Sequence, residues 1–295
     1  MNFVGQDLHY YDGVASPLKE RLFRFRSSRS LSNITVSGKS WEYYGSGHSQ
    51  RTLVLLPGGL GIAEAWFDCI LDWENDYRVI ALSYPRVGSV LEIVAAIKAV
   101  LEREGVTQVA LLGTSLGGYV AQVLVREHPA LLTHVILGDT GAATPDYRRK
   151  LERIYPVSKL FTNQYAFGLI KFAARKKIPP LLVLLNVEDR KFWNAYMRDI
   201  IDNQYSSDNM RTQFEVALDF ARNYSSAGVA TSASEKIKIL IIEADDDHAI
   251  PRDRKQKLKS LFPRAQIKTF PRGGHLLPIT QHDEYVKSVR DFLKS

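Results

Sequence analysis

Ser115 stands in Gly113-Thr114-Ser115-Leu116-Gly117, a Gly-x-Ser-x-Gly string that follows the apolar run Gln108–Leu112 and opens a helical pattern over Leu116–Glu127. A serine hydroxyl is a weak nucleophile until a neighbouring base takes its proton and a third group orients that base. A sharp strand-to-helix bend lifts the hydroxyl clear of the sheet and requires small neighbours, which the glycines supply. The same bend puts the Leu116 N–H at a helix N-terminus, where developing negative charge is favoured. The string alone is weak: Gly and Ser each make up near 7% of residues, so roughly one chain in ten of this length holds it by chance. Its placement between strand and helix separates it from the bland alternative, a tight glycine turn with a capping serine.

Seven histidines are available as the base. His275 lies in Arg272-Gly273-Gly274-His275-Leu276-Leu277-Pro278, just after the last predicted strand, and its glycines let the loop carry the ring over the C-terminal edge of the sheet. His128 and His134 flank regular elements, while His9, His48 and His282 sit in polar surroundings and read as surface or capping residues. For the orienting acid, Glu243-Ala244-Asp245-Asp246-Asp247-His248 ends a strand in three aspartates, and residue type does not choose among them. Asp139, after the Val135–Leu137 run, is a further contender, and His248 reads as incidental beside the acid. The second oxyanion donor is expected from Pro57-Gly58-Gly59-Leu60-Gly61, with Gly59 the choice. No Gly-Lys-Ser/Thr follows those glycines, so they do not read as a phosphate cradle.

The elements that must hold these residues are legible as short β-branched runs: Thr52–Leu56, Arg78–Leu82, Gln108–Leu112, His134–Leu137, Ile237–Ile242 and Ala265–Phe270. Each is nearly continuous in apolar character, as strands buried on both faces of a parallel sheet are. Val90–Glu104 repeats at helical spacing and stops at Gly105. The alternation implies an α/β fold, a mostly parallel twisted sheet with helices on both faces. Ser32–Val36 and Ser40–Tyr44 read as an antiparallel hairpin leading into it. From 143 to 235 no parallel strand is predicted, while Phe192–Tyr205 and Arg211–Asn223 look helical. The expected division is therefore a core of 1–142 and 236–295 with a helical cap at 143–235, whose stripe Phe192, Trp193, Tyr196, Met197, Ile200 and Ile201 forms the cap's core and part of a substrate pocket.

A chain of 295 residues, 45% hydrophobic and 24% charged, buries a sizeable core unaided. Its single cysteine, Cys69, excludes an intramolecular disulfide. Met1–Asp7 lacks the basic start and apolar run of a secretion signal, and the longest apolar stretch, Ile178–Val187, is too short and proline-broken to span a bilayer, so a cytoplasmic location is expected. The net charge of +7 is concentrated at Lys19, Arg21, Arg24, Arg26 and Arg29, and again at Arg148, Arg149, Lys150, Arg153, Lys171, Arg175, Lys176 and Lys177. These read as solvated helix faces rather than a lipid-binding patch. No zinc pattern, RNP-type aromatics or clamp motif supports nucleic acid as a partner.

With these motifs in place, Pro57-Gly58-Gly59, Tyr77–Pro85, the elbow at Ser115, the Asp247–Pro251 loop and Gly274-His275 resemble the α/β-hydrolase superfamily across most of the chain. In that family the acid commonly lies three residues after a small residue and four before a proline. Ala244, Asp247 and Pro251 match that spacing, so the resemblance implies Asp247. The order Ser115, Asp247, His275 is also the family's. Pro17-Leu18-Lys19, Arg78–Pro85, Gly117-Gly118-Tyr119 and Phe262–Ala265 are most similar to the maspardin branch. That branch implies a rival reading, a catalytically silent ligand-binding or adaptor protein, but this chain departs from maspardin in keeping His275. It departs from the wider superfamily in having Pro57 where a His-Gly pair is usual. The resemblance implies a serine hydrolase of carboxylesterase type that needs no cofactor or metal and takes a small ester or acyl substrate. The same machinery also serves thioesters, lactones and carbon–carbon bonds beside a ketone, and a cofactor-free oxygenase is a third, minor reading. A serine at the elbow argues against dehalogenase or epoxide hydrolase chemistry. Substrate identity and oligomeric state are not legible.

Overall fold

The computed structural model describes residues 8–160, 167–169, 171–173, 181–225 and 236–295. Met1–Asp7, the start of the Ile178–Val187 run, and Arg175, Lys176 and Lys177 lie outside these. The strands are β1 (Ser32–Val36), β2 (Lys39–Ser46), β3 (Thr52–Leu56), β4 (Arg78–Leu82), β5 (Val109–Thr114), β6 (Leu132–Gly138), β7 (Lys238–Ala244) and β8 (Gln266–Phe270). They form one sheet in the order β1-β2-β4-β3-β5-β6-β7-β8. β1, β2 and β4 pair antiparallel, and the hairpin turns at Ser37 and Gly38, both at positive φ (51° and 76°). From β4 through β3 to β8 every pairing is parallel.

The continuous apolar runs follow from what covers the sheet. Along β3, Val54 and Leu56 join one buried cluster while Leu53 and Leu55 join another, so alternate side chains feed two cores on opposite faces. The first core takes α3 (Val90–Arg103) and α4 (Leu116–Glu127); the second takes α1 (Pro17–Ser28) and α2 (Phe67–Trp73). Between β6 and β7 stand α5 (Pro145–Leu160), α6 (Val187–Asn203) and α7 (Ser207–Asn223). α7 begins earlier than its apolar repeat predicts, because Ser206 and Asn209 form a capping box that starts the helix at Ser207. α8 (Arg252–Leu261), the short α9 (Leu277–Thr280) and α10 (His282–Leu293) complete the core. No described helix is long and apolar enough to cross a membrane.

The first basic cluster departs from the expectation of a solvated face. Arg26 is buried and ion-paired to Glu64 at 2.5 Å and Asp199 at 2.8 Å, and Arg21 bridges Asp68 and Asp72. A buried guanidinium is tolerated only with such partners. These come from elements distant in sequence, so the arginines tie α1 to the neighbourhood of α2 and to α6. On α5, by contrast, Arg148, Arg149, Lys150 and Arg153 are exposed, as expected.

Candidate active site

β5 ends at the bend. Ser115 holds φ 50° and ψ −112°, a conformation that costs about 1–3 kcal/mol and persists only when its surroundings impose it. Those surroundings leave no room for side chains: a Cβ on Gly113 would lie 2.2 Å from the Gly117 carbonyl oxygen, and one on Gly117 would lie 2.2 Å from the Leu56 carbonyl oxygen. The Ser115 N–H donates to the Gly138 carbonyl at 3.0 Å, and the Thr140 hydroxyl donates to the Ser115 carbonyl at 2.8 Å. β3, β5 and β6 thus clamp one residue whose hydroxyl stands at their C-terminal edge. The strand order reverses direction at β3, where β4 and β5 leave on opposite sides, so a crevice opens there.

His275 reaches this edge from the loop after β8. Its Nε2 lies 3.1 Å from Ser115 Oγ and its Nδ1 lies 2.9 Å from Asp247 Oδ2. A carboxylate only accepts, so Nδ1 carries the proton and donates to Asp247, which leaves Nε2 to accept from the serine hydroxyl. Burial alone would lower the proton affinity of the ring, but the hydrogen bond and charge of Asp247, with the charge of Asp139, outweigh it and the shift is upward from 6.5. Asp247 is 4% exposed; burial pushes its carboxyl up, and the bonds and charges of His275, the Ala249 N–H and Lys255 bring it below the ordinary value. Burial also sorts the three aspartates that residue type left open. Asp245 is exposed, Asp247 takes the ring, and Asp246 Oδ1 accepts the N–H groups of Gly273 and Gly274 at 2.9 and 2.8 Å.

Ser115 and His275 line a cavity of about 300 Å³. Pro57, Gly58 and Gly59 line one wall, and a Cβ on Gly58 would touch Ser115 Cβ at 3.3 Å. Trp193, Tyr196 and Met197 of the expected stripe, all on α6, also line the cavity, with Gln213 of α7 against Gly59. Phe192 and Ile200 instead pack in the second core with Phe67 and Tyr11. Tyr196 is held by a hydrogen bond from its hydroxyl to the Glu64 carbonyl at 3.0 Å. Leu116 is buried at the N-terminus of α4, directly after Ser115.

Two features were not legible from residue types, and a third, Asp139, was legible only as a contender for the orienting acid. Gln213 carries no local motif. Asp139 is only 2% exposed and lines the same cavity, and burial pushes its carboxyl up to about 7 against the opposing charge of His275. His282, expected as a surface residue, bonds the Pro278 carbonyl at 2.9 Å and Asp72 at 2.6 Å. Burial lowers its proton affinity, but bonds to Asp72 and Cys69 and the charges of Cys69 and Asp68 raise it to about 11. Asp68, Asp72 and His282 converge as metal ligands do, but the Arg21 guanidinium bonds both carboxylates and the protonated His282 ring supplies the second positive charge. They form a salt-bridge network.

A family model described as "Alpha/beta hydrolase family" matches residues 53–288. Maspardin of Mus musculus is 27% identical over 261 residues, covering 85% of this chain and 79% of that protein. Among solved structures, a thermophilic esterase from Thermogutta terrifontis superposes with a TM-score of 0.69 at 19% identity, over 90% of this chain and 98% of its own. An enol-lactonase from Burkholderia xenovorans LB400 gives 0.72 at 16% identity, over 90% and 100%.

Proposed function

The chain belongs to the alpha/beta hydrolase family, and we propose that it is a serine hydrolase cleaving a carboxylic ester or related acyl bond through an acyl-enzyme. The reading is carried by one observation, the continuous relay Ser115–His275–Asp247 with contacts of 3.1 and 2.9 Å at the mouth of an apolar cavity. Ser115 attacks the substrate carbonyl while His275 Nε2 takes its proton. The Nδ1–H bond to Asp247 stabilises the imidazolium that results. The backbone N–H groups of Gly59 and Leu116 receive the oxyanion; losing one such donor typically costs about 10²–10³ in turnover. His275 returns the proton to the leaving alcohol, and water then releases the acid by the same steps in reverse. No cofactor or metal is needed for any of them.

In this reading residues 1–142 and 236–295 are the catalytic core and 143–235 a helical cap, and the cap selects substrate. Trp66, Trp193, Tyr196, Met197, Leu276 and Ile279 suit an apolar acyl or alcohol group, and the volume favours a small one. The esterase and enol-lactonase named above cleave bonds of the proposed class. A series of p-nitrophenyl esters of increasing acyl length tests this. Turnover is expected to peak at short to medium chains and to fall about 10⁴-fold or more in Ser115→Ala. Absence of turnover with every ester, or full activity in Ser115→Ala, would instead favour a silent ligand-binding protein on the same fold.

A further inference from the structure

Asp139 has no part in the relay, yet its placement is costly. It stands at the end of β6 at φ 43°, and among the described residues only Ser37 and Ser115 share positive φ without being glycine. Two of these three strained residues line the catalytic cavity. Asp139 Oδ2 accepts the Leu277 N–H at 3.3 Å, while Oδ1 is buried without a partner. An anchor alone would be served by asparagine, without the cost of burying a carboxylate.

We propose that Asp139 is a positioning residue of this site: it anchors the loop carrying His275 and places a second negative charge beside the imidazole. The groups that face it are His275 from that loop, Asp247 after β7, Lys255 of α8 and the Tyr285 hydroxyl of α10, which is also buried and unpartnered. His275 and Lys255 favour its ionised form and Asp247 opposes it. When His275 takes the serine proton, the charges of Asp247 and Asp139 both favour the new imidazolium, so Asp139 strengthens the base. Because burial brings the Asp139 carboxyl up to about 7, it changes charge in the range where an imidazole does, and the two are expected to titrate as a coupled pair. The catalytic consequence rests on the serine-hydrolase reading; the coupling does not.

Asp139→Asn separates charge from anchor, since asparagine tolerates positive φ and its amide oxygen accepts the same N–H. His275 is expected to titrate at lower pH in Asp139→Asn than in the wild type, followed by NMR of its ring. The acid limb of kcat/KM moves with it, so the ratio of kcat/KM at acid to alkaline pH rises roughly 3–10-fold. Asp139→Ala also loses the anchor and lowers kcat/KM roughly 10-fold at every pH. An unchanged His275 titration in Asp139→Asn overturns the proposal. Should that variant fail to fold, the wild type decides: two coupled steps in the His275 ring signal support the proposal, and a single step overturns it. A wild type that shows this coupling but no reaction with a fluorophosphonate sinks the hydrolase reading alone.

Discussion

The elbow and the histidine loop meet at 3.1 Å, yet they are held in unlike ways. The elbow is held by exclusion: Gly113 and Gly117 let backbones approach where any Cβ would collide. The histidine loop is held by polar bonds spread over several side chains. Asp246 takes two N–H groups, Asp139 a third, the Thr280 hydroxyl donates to the Gly273 carbonyl at 2.7 Å, and His282 holds the Pro278 carbonyl. A sterically packed element tolerates almost no substitution, whereas a polar network loses its hold by instalments. That contrast suits the proposed chemistry, in which Ser115 as nucleophile stays fixed while His275 as base takes up and releases a proton.

Each side of the contrast can be broken. The largest effect is expected from Asp247→Asn, which keeps the shape of the loop but favours the wrong ring tautomer; kcat falls about 10⁴-fold with little change in melting temperature. Steady-state rates and a thermal melt on one sample check this. Gly117→Ala attacks the elbow, where a Cβ must displace the Leu56 carbonyl. A loss of about 3–5 kcal/mol in urea unfolding is expected, and a loss under about 1 kcal/mol would break the claim of steric control. Asp246→Ala removes the one oxygen that accepts two N–H groups of the loop and is expected to cost about 1–3 kcal/mol of stability. It should also lower kcat about 10-fold more than it changes KM, because only the base is displaced.

The smallest effect sharpens the polar side. His282 has its proton affinity raised on folding, so its contribution to stability is fully present below its ordinary value of 6.5 and is lost as pH rises through the folded value of about 11. His282→Gln should therefore cost about 1–2 kcal/mol at pH 6 and less at pH 9, read from denaturant midpoints at both pH values. An equal cost at both would assign the residue to packing.

The same contrast explains what was legible beforehand. The elbow, the parallel strands and the Val90–Arg103 helix depend on neighbours close in sequence, so glycine spacing and apolar periodicity revealed them to within two residues. Of the three aspartates after β7, residue type distinguished none; their roles follow from burial, which is set by strands far apart in the chain. The arginines of α1 read as solvated because their partners, Glu64, Asp68 and Asp199, arrive from other elements. His282 was hidden for the same reason, and Asp139, read only as a contender for the orienting acid, gave no sign of its bond to the Leu277 N–H. Pairing between distant side chains carries no local period.

The most direct test is the mass of the active-site peptide after brief treatment with a fluorophosphonate. The account expects a single phosphonyl adduct on Ser115, absent from Ser115→Ala and formed at least about 10²-fold more slowly in His275→Ala. No adduct on the wild-type protein, or an adduct on another residue, would contradict it.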